Sequence, residues 1–226
     1  MANENEKEAA ARASLRFVQD GQIVGLGTGS TAAYVVKMLA DRVRTGLKVK
    51  CIPTSVQTRD LAASLGIQLT TLDEFQNIDV TIDGADEVDS HLNLVKGGGG
   101  ALLREKIVAS ASKRVVIIAD SSKYVPVLGK FPLPVEIIPF ARALVSQKIA
   151  DLGASIKLRQ SHDAKPFITD EGHQILDCSF GQIPDPPALA RKLSDMPGVV
   201  EHGLFIGLAS VALIARGDQV KEFTRN

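Results

Sequence analysis

The sequence predicts an α/β fold built on a mainly parallel sheet flanked by helices, with a smaller α+β domain attached. Three observations predict it. Strand-length apolar runs alternate with helical patterns as far as Asp120, the run Val115 to Ala119 is too continuously apolar for a strand with one wet face, and Pro132, Pro134 and Pro139 then break the alternation.

Each element follows from local pattern. Glu4 to Gln19 carries Ala9, Ala13, Phe17 and Val18 at helical spacing, and Asp20-Gly21 stops it. Ile23 to Leu26 reads as a strand that ends in the glycine-rich turn Gly27 to Thr31, and Ala32 to Leu39 has helical periodicity. A strand at Val49 to Pro53, a helix at Ser55 to Leu65, a strand at Val80 to Asp83, a helix at Ala101 to Ser110 and a buried strand at Arg114 to Asp120 complete the alternating part. The proline-punctuated stretch from Gly129 to Pro139 marks a domain boundary. Residues 1–128 with 203–226 are expected to form the larger domain and residues 129–202 the smaller one. In the latter, helices are expected near 141–152 and 187–194, with short strands near Ile156, Phe167, Ile175 and Val199 to Leu204. The last apolar run, Ala209 to Ala215, is expected to return to the first sheet.

Composition narrows the partners. Twenty-six basic and 26 acidic residues cancel, so no chain-wide positive field holds nucleic acid or an anionic membrane, and any anion site must be local. The N-terminal residues MANENEKEAAARASLR lack a secretory apolar core and no run approaches a membrane span, which makes the cytoplasm the default address. Cys51 and Cys178 form no CxxC pattern and are read as buried free thiols. His91, His162, His173 and His202 show no metal-ligand spacing and are read as incidental, mostly in loops.

Four segments can carry chemistry. In Gly25-Leu-Gly27-Thr28-Gly29-Ser30-Thr31, free N–H groups at a strand-to-helix junction favour a phosphate or carboxylate, although a capped tight turn would look the same. Ser30 spoils GxGxxG and no Gly-Lys-Ser/Thr follows, so dinucleotide and P-loop chemistry are unsupported. Asp83-Gly84-Ala85-Asp86-Glu87 follows a strand, where carboxylates can hold sugar hydroxyls or move protons. With Asp89 it would also suit a hard cation, or be a solvated acidic turn, and it lacks calcium-loop spacing. Lys96 followed by Gly97, Gly98, Gly99 and Gly100 implies that something packs closely on bare backbone. Its N–H groups and ammonium would then stabilise a negative oxygen, the alternative being a flexible linker. Glu105, near the start of the next helix, suits a general base, or a surface ion-pair residue flanked by Arg104 and Lys106. Lys123 and Lys7 can add charge at a phosphate, with surface lysine as the default for each.

Taken together, VGLGTGST at 24–31, DGADE at 83–87, KGGGGALLREK at 96–106, LGKFPLPVEIIP at 128–139 and PGVVEHGLFIGLASVALI at 197–214 resemble the signatures of the ribose-5-phosphate isomerase A family in order and spacing. The match is weakest over Gln160 to His173. The resemblance implies a Rossmann-like sheet with a small α+β domain, a homodimer or homotetramer, and a metal-free, cofactor-free isomerase acting on a sugar phosphate. It implies substrate contacts from Thr28, Gly29, Ser30 and Thr31, from Asp83, Gly84, Ala85 and Asp86, from Lys96, Gly97, Gly98 and Gly99, and from Lys123 and Lys7. Glu105 is implied as proton acceptor, with Asp83, Asp86 and Lys96 assisting catalysis. A sugar-phosphate sensor on the same fold would need an output segment, and no additional helix-turn-helix or basic arm is present in the sequence.

Overall fold

The computed structural model of the chain describes residues 2–225. In chain order the first elements are helix α1 (Ala2–Ser14), strand β1 (Ile23–Leu26), α2 (Ser30–Arg44), β2 (Lys50–Pro53), α3 (Val56–Ser64) and β3 (Val80–Gly84). Two short strands, β4 (Glu87–Val88) and β5 (Leu94–Val95), lead to α4 (Leu102–Ser110), β6 (Val115–Asp120) and β7 (Leu133–Ile137). Then come α5 (Arg142–Ala150), β8 (Ser155–Leu158), β9 (Gln174–Ser179), α6 (Pro186–Ser194), β10 (Val199–His202), β11 (Leu204–Phe205), β12 (Val211–Arg216) and β13 (Gln219–Thr224). The chain divides into two compact units, one of Met1–Ala85, Arg104–Tyr124 and Gly207–Asn226, the other of Asp86–Leu103 and Val125–Ile206.

The first unit holds a six-stranded sheet in the order β13-β12-β6-β3-β1-β2. All its pairings are parallel except β12 with β13. Strands β1 and β6 are buried along their whole length, as continuous apolar runs must be when both faces are covered. Helix α2 offers the sheet a stripe of Ala32, Val35, Val36, Leu39 and Ala40, the spacing of one helical face. Ser55 caps α3 by accepting the Thr58 N–H at 3.0 Å. Helix α1 is tied down by an acid absent from the sequence reading: Glu6, 8% exposed, accepts the N–H groups of Ser121 and Gly217, each at 2.9 Å. Those hydrogen bonds, that of Gly217 first, hold its carboxyl below the usual carboxylate value.

The second unit holds a four-stranded antiparallel sheet, β10-β7-β9-β8, and a small sheet, β11-β5-β4. Leu133, Val135 and Ile137 of β7 join Leu176 and Cys178 of β9 in one core with Val145 and Ile149 of α5 and Leu193 of α6. Asp185 caps α6 through the Ala188 N–H at 2.9 Å.

Two expectations are corrected. Phe167 lies in no strand: only an isolated bridge between Gln160 and Pro166 forms, because Pro166 has no N–H to extend a ladder and Ala164 turns the chain with φ of 60°. The stretch 199–204 is not one strand but two, in different sheets, separated at Gly203, where a Cβ would fall 2.3 Å from the Lys96 carbonyl oxygen. His202, within that expected strand, is a buried strand residue whose Nε2 lies 3.1 Å from Ser194 Oγ. The apolar run at 211–216 does return to the first sheet, between β6 and β13. Cys51 and Cys178 are free and buried, and burial pushes both thiols up to about 12. No described helix is long and apolar enough to cross a membrane.

Candidate active site

In the first sheet β1 lies between β2 and β3, so the chain leaves β1 toward one neighbour and returns on the other side. That reversal makes a topological switch point, and ligands of open α/β sheets bind outside the carboxyl ends of the strands there. The Gly27–Thr31 loop follows β1 and Asp83 closes β3, so both signature segments of this unit meet at that point.

Their contact is intimate. Asp83, 2% exposed, accepts the N–H of Thr28 at 3.1 Å and that of Gly84 at 2.7 Å through Oδ1. A Cβ on Gly27 would lie 2.1 Å from the same oxygen. Gly29, the N-cap of α2, adopts φ of 110°, which L side chains avoid, and leaves Gly29 and Ser30 exposed at the helix start with Thr31 half-buried. Free N–H groups and the helix dipole there favour an anion. The Thr28 hydroxyl points elsewhere, into a cluster with Thr54 and Ser55 at 2.8 Å each and Thr58 at 3.2 Å. Thr58 in turn donates to the Gly27 carbonyl at 2.9 Å, so this cluster braces the loop. The sequence reading passed over it, although the hydroxyl-rich run Thr54-Ser55-Val56-Gln57-Thr58 was its only visible sign.

Glu105 stands in the first turn of α4 and is 4% exposed. One turn later Val108 packs where Gly25 has no side chain, since a Cβ there would lie 2.8 Å from Val108 Cγ1. A helix returning between parallel strands starts at their carboxyl ends, so Glu105, on the Val108 face, lies toward the end of the sheet that carries Asp83. Lys123 is half-buried in a short 3-10 turn, Ser121–Lys123, directly after β6. Lys7 follows Glu6, whose carboxylate grips that same turn, and its Nζ pairs with Glu4 at 2.7 Å. The first unit therefore gathers Gly29, Ser30, Thr31, Asp83, Glu105 and Lys123 at one end of the sheet.

The second unit carries the lysine–glycine segment. Lys96, 3% exposed, follows β5, donates its N–H to Gly203 at 2.9 Å and sets its ammonium 5.4 Å from the Phe205 ring centroid. Asp86 accepts the Gly98 N–H at 2.7 Å through Oδ2. The bare backbone is closely covered: a Cβ on Gly98 would fall 2.6 Å from Asp86 Oδ1, and one on Gly100 2.5 Å from Phe167 Cζ. Gly98 and Gly99 are nonetheless exposed at the tip. Two acids beside Asp86 serve the fold. Glu87, 3% exposed, accepts the N–H groups of Gly129 at 2.6 Å and Phe131 at 2.7 Å, while Asp89 closes its own turn onto His91 and Asn93 at 2.8 Å each. Among the described residues no group of three or more His, Cys, Asp or Glu is arranged to hold a metal ion.

A buried aspartate under a glycine–hydroxyl loop at the switch point of a parallel sheet marks the class: an α/β protein whose strand ends are suited to a small anionic ligand. Residues 50–219 match the ribose 5-phosphate isomerase A (phosphoriboisomerase A) family. A ribose-5-phosphate isomerase A of Rhodopseudomonas palustris (strain HaA2) is 53% identical over 231 residues, covering 100% of both chains. Among solved structures, a D-ribose-5-phosphate isomerase in complex with phospho-erythronic acid superposes with a TM-score of 0.97 at 38% identity, covering 100% of each chain. Ribose 5-phosphate isomerase A from Methanocaldococcus jannaschii gives 0.94 at 39% identity, covering 98% of this chain and 99% of that one. The chain belongs to the ribose 5-phosphate isomerase A family, a family of aldose–ketose isomerases.

Proposed function

We propose that the chain interconverts D-ribose 5-phosphate and D-ribulose 5-phosphate in the pentose phosphate pathway, through an enediolate formed by a single base, Glu105. The observation that carries this reading is Glu105 itself, a carboxylate 4% exposed on the first turn of the helix that follows the glycine run. Burial suits a proton carrier because it removes competing water and strengthens every interaction of the charge.

The substrate ring opens with help from Asp83. Glu105 takes the proton from C2 of the open aldehyde; the C2–H electrons form the C1–C2 double bond, and the carbonyl oxygen on C1 becomes negative. The same carboxyl returns its proton to C1 while the hydroxyl proton on O2 passes to O1, leaving the ketone at C2. Lys96 and the N–H groups of Gly97 and Gly99 meet the negative oxygen, that of Gly98 being held by Asp86, and preorganised donors of this kind contribute roughly 3–4 kcal/mol each. Asp86 holds a substrate hydroxyl and favours the planar cis-enediolate. Gly84 and Ala85 offer backbone to the sugar. Charge is handled by protein donors, so the chemistry calls for no metal.

The phosphate is assigned to the start of α2, at Gly29, Ser30 and Thr31, with Lys123 and Lys7 adding positive charge and Thr28 bracing the loop. Remote binding of this kind holds the reacting carbons against the base. A cytoplasmic address and assembly as a homodimer or homotetramer complete the proposal. Self-association is supported by the exposed apolar group Ile138, Phe140 and Leu144, of which Phe140 is 100% exposed.

Ketose formation tests the reading. Ribose 5-phosphate should be converted in the presence of EDTA, with unphosphorylated ribose a poor substrate. Equal turnover of the two sugars would remove the phosphate site from the account, and loss of activity in EDTA would remove the metal-free chemistry.

A further inference from the structure

The glycine run is held from behind by a residue that no sequence signature marks. Arg159 lies just past β8 in the second unit, 62 residues from Gly97. Its Nη1 donates to the Gly97 carbonyl at 2.8 Å and to the Gly98 carbonyl at 3.2 Å. The other side of the guanidinium is gripped by Asp177 of β9, at 3.1 Å from Nε and by a second, shorter contact from Nη2. Both partners are largely sheltered, with side chains 14% and 22% exposed. Phe167, whose ring covers Gly100, lies 6.0 Å below the same guanidinium.

A trans peptide is planar, so its C=O and N–H point in opposite directions. By fixing the carbonyls of Gly97 and Gly98, Arg159 fixes the directions of the N–H groups of Gly98 and Gly99. The first of these meets Asp86 at 2.7 Å, which leaves the Gly97–Gly98 peptide held from both ends. The Gly99 N–H is turned away from Arg159 at the exposed tip of the loop. Glycines lose more conformational freedom than any other residue when ordered, so four in a row need such a clamp to hold a donor in one direction.

We propose that Arg159, oriented by Asp177, is a positioning residue for the isomerisation: by fixing the peptide planes of the glycine run it sets the free Gly99 N–H toward the negative oxygen of the enediolate. The inference rests on the reading given under the proposed function, in which the Gly99 N–H helps to stabilise that oxygen. A guanidinium is required because one nitrogen must span two carbonyls while its neighbours hold a carboxylate, which an ammonium on a flexible stem does not reproduce.

The test uses the full chain with Arg159→Ala and Arg159→Lys. Arg159→Ala should lower kcat about 10- to 100-fold, the scale for a misplaced catalytic group, with KM for ribose 5-phosphate changed less than about threefold. Inhibition by phospho-erythronic acid, whose carboxylate stands in for the enediolate oxygens, should weaken by the same factor as kcat/KM, while inhibition by inorganic phosphate stays at the parental level. Millimolar guanidinium should restore part of the Arg159→Ala rate, and sodium chloride of equal ionic strength should not. Arg159→Lys should fall between the two enzymes and decides the matter if the alanine variant does not fold. Parental kcat and parental phospho-erythronic acid inhibition in Arg159→Lys and Arg159→Ala overturn the proposal, as does equal weakening of phospho-erythronic acid and phosphate. Failure of the underlying reading shows in the parental enzyme itself: phospho-erythronic acid would then inhibit it no better than inorganic phosphate, whatever stands at position 159.

Discussion

The Asp83 carboxylate occupies the space that a side chain on Gly27 would need: a Cβ there would fall 2.1 Å from Asp83 Oδ1 and 2.6 Å from its Cα. The loop after β1 and the acid closing β3 therefore form one object, and the missing Cβ is what lets the carboxylate reach the Thr28 N–H at 3.1 Å. Gly27→Ala must push backbone and not merely a flexible side-chain tip. The expected outcome is a loss of roughly 1–3 kcal/mol of stability, the usual cost of overpacking, together with a fall in kcat/KM for ribose 5-phosphate. Paired denaturation and ketose assays check it, and a variant with parental stability and turnover would mean the loop yields freely.

Glu87 shows how a signature acid can serve structure. Its two oxygens each accept one backbone N–H, from Gly129 and from Phe131. Glu87→Ala leaves those donors without their acceptor, and an unsatisfied buried donor costs about 1–3 kcal/mol. The denaturation midpoint should drop accordingly, while the residual folded enzyme keeps its KM. A midpoint within error of the parent would show that water replaces the carboxylate fully.

Glu6 makes the stability of the first unit acid-sensitive. Its folded carboxyl is held below the usual carboxylate value by the N–H groups of Gly217 and Ser121, so the folded state binds its proton less readily than the unfolded state does. That stabilisation is present above the unfolded value and is lost as pH falls through the folded one. In denaturant titrations from about pH 7 down to about pH 3, Glu6→Gln should show a shallower loss of stability than the parent. Parallel curves would place the acid sensitivity in other carboxylates.

Much of this was visible in the residues alone. The run Ile23 to Leu26 followed by glycines and hydroxyls announces a strand, a turn and an anion-friendly helix start, because each step follows from local propensity and burial. The expectation that something packs on Gly97 to Gly100 is met by Asp86, Pro134 and Phe167. Strand β13 escaped notice because its sequence, QVKEFT, is polar on a partly exposed edge, and pairing with β12 defines it, not apolar pattern. Arg159 and the Thr54-Ser55-Thr58 brace escaped for a different reason. Their partners lie 61 or 62 residues away for the arginine and 26 to 30 residues away for the Thr28 cluster, and no periodicity encodes a hydrogen bond over such separations.

The central claim is that one carboxylate moves the proton between C2 and C1. Ketose formation from ribose 5-phosphate by Glu105→Gln, compared with the parent at matched folded concentration, tests it most directly. The account predicts a fall in kcat of about 10²- to 10⁴-fold, the contribution of a general base, with the sugar phosphate still bound. Turnover by Glu105→Gln at the parental rate would contradict it.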